Sequence, residues 1–477
     1  MMIAANDNAR SRLHTAILGL GVTGESCLRH LAGRDVLTVL DTRPTPPNAG
    51  LAERHPDVSF RFGPAADAFD FAGVDRVVVS PGLALLHPLV QRARAAGAHI
   101  TSDVELFLDA LDALDASGTA ERAPVYAITG TNGKSTVTAL AGHLLRALGR
   151  NPGVGGNLGD AALDLLGAPH DAWVLELSSF QLERLRAYPF AGATILNLSD
   201  DHLDRHGTMA RYVEAKQRIY RSALRAVSNR DDAATTPQVA VGEHVTFGGA
   251  APAEGHWGIE RAVSAIEASG AADRTELWLA HGPCRLLRAS ELPIAGHHNV
   301  LNALAALALV APRDLVRQPA AQAALAAGLR TFTGLPHRCV PVADRRGIRF
   351  VNDSKATNVG ATIAALEGLG TSHGPNLVLI AGGDGKGADF GQLRPAVARH
   401  VKAVVLIGRD APVLEAALAD LVPVHHACSM TDAVAAAAQA AQAGDIVLLA
   451  PACASLDMYR NYAARGDAFA QAVEALR

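Results

Sequence analysis

The sequence has no C-x-x-C pair. Its five cysteines, Cys27, Cys284, Cys339, Cys428 and Cys453, are scattered and odd in number. That pattern fits a reducing compartment better than a disulfide framework or a zinc site. Excess positive charge is also missing. A formal net charge of -4 leaves no basic footprint for nucleic acid and no polybasic tether for a membrane. Long hydrophobic runs are absent: the most apolar stretch, Val300 to Ala311, contains Asn302 and is too short to span a bilayer. Met1 to His14 is polar where a signal peptide needs an apolar core, so a cytoplasmic location is expected. No internal repeat of solenoid period is present. What remains is a chain of 477 residues with 49% apolar and 19% charged residues, able to bury real cores. Its length suggests about three domains.

The order of segments points to an α/β fold in three domains. Ala16-Ile-Leu-Gly-Leu-Gly is a short apolar strand running into Gly19, Gly21 and Gly24. A helical pattern follows, then a strand from Val36 that ends at Asp41, which is the βαβ order of a Rossmann-like unit. A later strand, Arg76-Val-Val-Val, ends at Ser80-Pro-Gly. The stretch Asp109 to Ala123 reads as a helix end plus linker, closing an N-terminal domain over 1–121. A central domain, 122–333, opens on the strand Pro124-Val-Tyr-Ala-Ile-Thr and a helix from Lys134, with Val137, Leu140, Ala141, Leu144, Leu145 and Leu148 at helical spacing. Within it, residues 236 to 292 hold short alternating segments such as Val245-Thr-Phe and Glu276-Leu-Trp-Leu, expected to form a small antiparallel sheet. A C-terminal domain, 334–477, alternates strands (Ile348, Leu377, Ala403 and Ile446 onward) with alanine-rich helices, which implies another parallel sheet.

Gly130-Thr131-Asn132-Gly133-Lys134-Ser135-Thr136 lies between a strand and a helix. Glycines there let backbone N–H groups turn onto phosphate oxygens, and the helix N-terminus favours negative charge. Lys134 would reach the β- and γ-phosphates of ATP, and the Ser135 or Thr136 hydroxyl would face Mg²⁺. The spacing departs from the usual phosphate loop, since position 128 is Ile rather than Gly, and the plain alternative is a turn between strand and helix. For Gly19 to Gly24 the alternatives are a tight packing turn and NAD binding. Asp41-Thr42-Arg43 could instead hold the uridine or ribose of a different nucleotide. Glu176, at the end of the strand Trp173-Val-Leu, is where a magnesium carboxylate belongs, whereas Glu183 reads as a solvated helix residue. His202 is read as three residues past a strand end with acids around it, which favours a functional role over a surface one. In the third domain, polar loops carrying Asp353, Lys355 and Thr357, then Lys386, then Ser455 and Asp457 follow separate strands and should meet on one face of the sheet. Lys355 and Lys386 would hold anions there; each alone could be an ordinary solvated lysine. Cys453 reads as a small structural residue.

Taken in order, these motifs resemble the Mur ligases over nearly the whole length. The telling strings are Leu177-Ser-Ser-Phe-Gln-Leu-Glu183, Gly334-Leu-Pro-His-Arg338, Asp353-Ser-Lys-Ala-Thr-Asn358 and Pro451-Ala-Cys-Ala-Ser-Leu-Asp457. The resemblance implies a Rossmann-like N-terminal domain binding a UDP-linked substrate, a central P-loop ATPase domain, and a C-terminal Rossmann-like domain that binds the incoming amino acid. It implies that Thr23, Asp41, Thr42, Arg43 and Ser80 contact the uridine diphosphate, and that Asn157 and Gln181 touch the muramoyl or phosphate portion. ATP would be framed by Gly130–Thr136, Asn299, Asn302, Arg338 and Asp353. Mg²⁺ would fall to Glu176, His202 and Lys216, the last matching a lysine the family carbamylates. Lys355, Thr357, Lys386, Ser455 and Leu456 would bind glutamate. Where related sequences carry a pair of Phe residues near the end, this chain has Tyr459 and Tyr462, and Tyr462 should fall beside the glutamate side chain.

The activity so implied is ATP-dependent joining of glutamate, most naturally D-glutamate, to UDP-N-acetylmuramoyl-L-alanine through an acyl phosphate, by a monomer needing ATP, Mg²⁺ and a carbamylated Lys216. Lys134, His202, Lys216 and Lys355 would carry the chemistry. The alternatives are the same ligase using L-glutamate, a folylpolyglutamate-type ligase, an NAD-dependent oxidoreductase built on residues 19–41, and a non-catalytic nucleotide switch.

Overall fold

The computed structural model describes residues 12–476 apart from 47, 49, 117–121, 264–274, 295 and 372–373. The polar leading segment and the middle of the expected 109–123 linker therefore lie mostly outside the described residues. The helix before that linker, Asp103–Ala116, ends within the 109–123 stretch, and Phe107, Leu108 and Leu111 bury one face of it.

The first sheet is parallel throughout. Its strands are β1 (His14–Leu18), β2 (Val36–Asp41), β3 (Ser59–Phe62), β4 (Arg76–Val79) and β5 (His99–Thr101), in the order β3-β2-β1-β4-β5. The strand order reverses between β1 and β4, so the Gly19 and Ser80 turns flank a crevice at the carboxyl ends. The glycines there serve close approach. A Cβ on Gly24 would sit 1.9 Å from the Gly19 carbonyl oxygen, and one on Gly19 would meet the Ser80 side chain at 2.9 Å.

The second sheet is also parallel: β6 (Val125–Thr129), β7 (Pro152–Gly156), β8 (Ala172–Glu176), β9 (Gly192–Ile195), β10 (Arg225–Asn229) and β11 (Glu243–Phe247), ordered β11-β10-β9-β6-β8-β7. The helix Lys134–Ala147 leaves β6 and buries Val137, Leu140, Ala141, Leu144 and Leu145. A small antiparallel sheet does exist, formed by β12 (Trp257–Val263), β13 (Thr275–His281) and β14 (Cys284–Arg288). Val245-Thr-Phe is not part of it. That segment is β11, paired parallel to β10, because Val245 and Phe247 bury into the central core. The apolar stretch near 300 is the helix His297–Val310, buried almost all round, which accounts for its composition. Among the described residues no helix is long and apolar enough to cross a membrane.

The third sheet comprises β15 (Val340–Arg345), β16 (Ile348–Asn352), β17 (Leu377–Gly382), β18 (Val401–Ile407), β19 (Val424–His426) and β20 (Ile446–Leu449), ordered β15-β16-β20-β17-β18-β19. It is parallel except for β15, an antiparallel edge strand. Because β16, β20 and β17 are neighbours, the three polar loops that follow them leave one side of the sheet together, and Asp384 bridges to Ala454.

Gly24→Ala should lower stability by about 1–3 kcal/mol, the usual cost of overpacking. Thermal unfolding checks this, and an unchanged midpoint would contradict the close approach of Gly24 to Gly19.

Candidate active site

A cleft of about 570 Å³ opens where the carboxyl ends of the central strands face the third sheet. On its central wall the chain turns from β6 into the helix at Lys134. Gly133 takes φ +81°, and a Cβ there would lie 2.5 Å from Asn302 Oδ1, so the turn and the helix His297–Val310 fit only around glycine. Thr131, Asn132, Gly133, Lys134, Ser135 and Thr136 all line the cleft, and Gly130 lies behind them. The Lys134 amine donates to the carbonyls of Gly130 (2.8 Å) and Thr131 (2.9 Å). Burial lowers its pKa, with Glu176 and Asp201 opposing that shift.

Lys216 lies beneath this loop. Its helix, Met209–Gln217, buries it to 1% exposure, and Nζ donates to Thr129 Oγ1 (3.1 Å) and the Gly130 carbonyl (2.9 Å). Burial, then the neighbouring Lys134 charge, holds its pKa well below the ordinary lysine value. An amine so placed holds its proton less tightly than an exposed lysine, because burial disfavours the charged form.

Glu176 ends β8 inside the cleft. Its Oε1 accepts from Asn157 Nδ2 at 2.7 Å, while Oε2 is buried with no hydrogen-bond partner. An unpartnered buried carboxylate oxygen beside a phosphate-type loop is a fit for a hard cation. No cluster of three or more His, Cys, Asp or Glu side chains converges on one metal position among the described residues.

His202 also lines the cleft, but not in the position expected. β9 ends at Ile195, earlier than the sequence suggested, because the following residues turn to meet the phosphate-type loop. Thr131 N donates to the Asn197 carbonyl at 2.9 Å, and Asn132 N to Asn197 Oδ1 at 2.8 Å. His202 takes φ 54° and opens the short helix Leu203–His206. Burial lowers its pKa, leaving a neutral imidazole near Asp201, 3.8 Å away.

The opposite wall comes from the third sheet. Arg338, Asp353, Lys355 and Thr357 line it, with Asn299 and Asn302 on the helix between. The Arg338 guanidinium crosses the cleft to Ser135 Oγ at 2.7 Å, and Asn358 Nδ2 donates to Asn132 Oδ1 at 3.2 Å. Burial pushes the Asp353 carboxyl up to about 6, against the opposing charge of Arg338. It brings the Lys355 amine down to about 8, helped by Arg338. The Lys355 amine also lies 4.0 Å from the centroid of the Tyr462 ring.

Several residues singled out from the sequence are elsewhere. Thr23, Asp41, Thr42, Arg43 and Ser80 sit at the first sheet, outside this cleft. There both Asp41 oxygens are engaged: the carboxylate accepts from Leu20 N, Arg43 N and the Arg43 guanidinium. Gln181 is buried; its amide serves a capping box with Ser178 and reaches Asp103 at 3.5 Å. Lys386 is exposed, Ser455 buried and Leu456 70% exposed, on the loops beyond Lys355. Asp201, Asn197 and Asn358 belong to the cleft and were not singled out. Asn358 stands in the string Asp353–Asn358 quoted above and Asn197 and Asp201 shortly before His202, and only folding brings them to the phosphate-type loop.

Comparison with known proteins follows the same three-part division. Residues 13–102 match the family description "Mur ligase MurD-like, N-terminal domain", 128–310 match "Mur ligase middle domain", and 337–453 match "Mur ligase, glutamate ligase domain". A UDP-N-acetylmuramoylalanine--D-glutamate ligase from Marinobacter nauticus is 46% identical over 97% of this chain and 98% of its own length. One from Pseudomonas syringae pv. tomato is 46% identical over 96% and 97%. Among solved structures, MurF from Acinetobacter baumannii superposes with a TM-score of 0.58 at 20% identity, covering 92% of this chain and 90% of that one, a likeness of fold.

The Lys355 amine should titrate near pH 8: charged and anion-attracting below it, neutral above it. Methyl-lysine NMR over that range checks this, and a midpoint near the ordinary lysine value would contradict the burial argument.

Proposed function

The chain belongs to the Mur ligase family, and from that premise we propose that it joins D-glutamate to UDP-N-acetylmuramoyl-L-alanine at the expense of ATP, in peptidoglycan precursor synthesis. It is an ATP-dependent carbon–nitrogen ligase. The observation that carries the reading is the cleft itself, where a phosphate-type loop and the unpartnered oxygen of Glu176 face Lys355 and Arg338 from another sheet.

In this reading residues 1–121 hold the UDP end of the substrate, 122–333 hold ATP, and 334–477 hold glutamate. The γ-phosphoryl of ATP passes to the carboxylate of the muramoyl-alanine, giving an acyl phosphate and ADP. The glutamate amine attacks that carbonyl, an amide forms, and phosphate leaves with the bond pair. Lys134 and the N–H groups of Gly130 to Thr136 orient the triphosphate, and Asn299, Asn302, Arg338 and Asp353 frame the rest of the nucleotide. Thr23, Asp41, Thr42, Arg43 and Ser80 take the uridine diphosphate; Asn157, beside Glu176, meets the muramoyl end, and Gln181 supports it from behind. Lys355, Thr357, Lys386, Ser455, Leu456 and Tyr462 receive glutamate, with the Lys355 cation as the first attraction for a carboxylate.

Mg²⁺, held through Glu176, His202 and the Ser135 or Thr136 hydroxyl, would neutralise charge on the transferring phosphoryl group. Lys216 would join them as a carbamate. Its depressed pKa supports this, because an uncharged amine can add to CO₂, losing a proton and becoming an anionic oxygen donor. Water must be kept from the acyl phosphate, which the burial of the cleft groups favours. The proposal places the work in the cytoplasm, by a monomer.

Phosphate release should require ATP, Mg²⁺, UDP-N-acetylmuramoyl-L-alanine and D-glutamate together. Turnover with L-glutamate alone would reassign the stereochemistry, and silence with both isomers would remove the reading. Lys216→Ala should cut kcat by roughly 10²–10³, the scale of losing one electrostatic group at a phosphoryl-transfer site. Partial recovery with a short added carboxylate is expected, and full activity without one would rule the carbamate out.

A further inference from the structure

Two arginines of the central domain grip one loop of the first. Arg184 follows the short helix Ser179–Leu182, and its side chain is only 2% exposed. It donates through Nη1 to the carbonyls of Val79 (2.9 Å) and Ser80 (3.0 Å), and through Nη2 to that of Leu83. Arg205, on Leu203–His206, donates to the same Leu83 carbonyl at 2.8 Å and pairs with Glu183 at 2.5 Å. A planar guanidinium fork suits several convergent carbonyls, whereas an ammonium has one nitrogen and cannot replace it. The gripped loop leaves β4 at the strand-order switch, and Ser80 Oγ in turn donates to the Gly19 carbonyl at 3.0 Å.

The other ends of both segments enter the cleft. Glu176 precedes Arg184 on one, and His202 begins the helix that carries Arg205 on the other. Phe180 packs between them: its ring lies 4.9 Å from the His202 ring and 4.9 Å from the Arg205 guanidinium carbon. The segments that present Glu176 and His202 to the cleft therefore end on the loop that flanks the first sheet's crevice.

We infer that Arg184 and Arg205 are positioning residues that set the register between the crevice of the first sheet and the central cleft, so that a single extended substrate can occupy both. The inference rests on the function proposed above, which puts the diphosphate end of that substrate at the crevice and its carboxylate in the cleft. An error of about 1 Å in that register makes the extended substrate give up contacts at one end in order to reach the other, which weakens its binding while the nucleotide loop is left as it is.

Steady-state kinetics on Arg184→Met and Arg205→Lys test it, with both substrates varied. The expected result is a rise of about tenfold or more in KM for the UDP-linked substrate, with KM for ATP changed by less than about twofold. An unchanged KM for the UDP-linked substrate overturns the inference. So does a fall in kcat with both KM values intact, which is the mark of lost folded enzyme. Arg205→Lys keeps the charge at a partly exposed position, so it gives the decision even if Arg184→Met does not fold. Absence of turnover in the wild type would instead count against the proposed function, which separates the two failures.

Discussion

The cleft is organised around buried positive charge. Lys134, Lys216, Arg338 and Lys355 are each taken out of water by the fold, and burial is the first cause of every one of their depressed pKa values. The carboxylates that face them, Glu176, Asp201 and Asp353, do not fully offset this, since Asp353 is itself pushed towards neutrality. Such an arrangement is costly unless anions enter it. A triphosphate, a carboxylate and a second carboxylate are the anions that the proposed reaction brings, so the cost of burial becomes a preference for substrate.

That constraint explains how the backbone is used around the site. The amine of Lys134 bonds to carbonyls of its own loop, and Ser135 to Arg338 from the opposite wall. The bonds between Arg338 and Ser135 and between Asn358 and Asn132 are single contacts between exchangeable groups. The grip of the central domain on the first is different in kind: it uses a nearly buried guanidinium and several backbone carbonyls. The first two domains also share one continuous hydrophobic core, in which Phe107 meets Trp173 at 5.3 Å. The third sheet has separate cores of its own. The physical division is thus a pair of domains joined through one core and a third built on cores of its own.

Much of this was legible in the residues. The strand, glycine loop and helix around Gly130 to Lys134 follow from an apolar run, a turn that tolerates positive φ and helical spacing, all of them local. The place of Glu176 at a strand end is local too, and so is the closeness of the three loops after β16, β20 and β17 once a parallel sheet is granted. Less was legible where two periods overlap. Val245-Thr-Phe alternates like a hairpin strand, yet it pairs parallel to β10 because burial against the helix His297–Val310 decides its partner. The end of β9 was misplaced for the same kind of reason: Asn197 is drawn out of the strand by its bonds to the loop at Asn132.

By itself, then, the sequence determined the α/β class, the phosphate-type loop, the strand-end acids and the family, because these depend on local patterns of residue type and spacing. Tertiary structure alone decided that Lys216 lies beneath Gly130 and that Gln181 reaches Asp103. It also decided that Arg184 closes on Val79, Ser80 and Leu83. Each of those contacts joins residues far apart in the chain, and its chemistry comes from desolvation and from bonds to backbone carbonyls, neither of which residue spacing encodes.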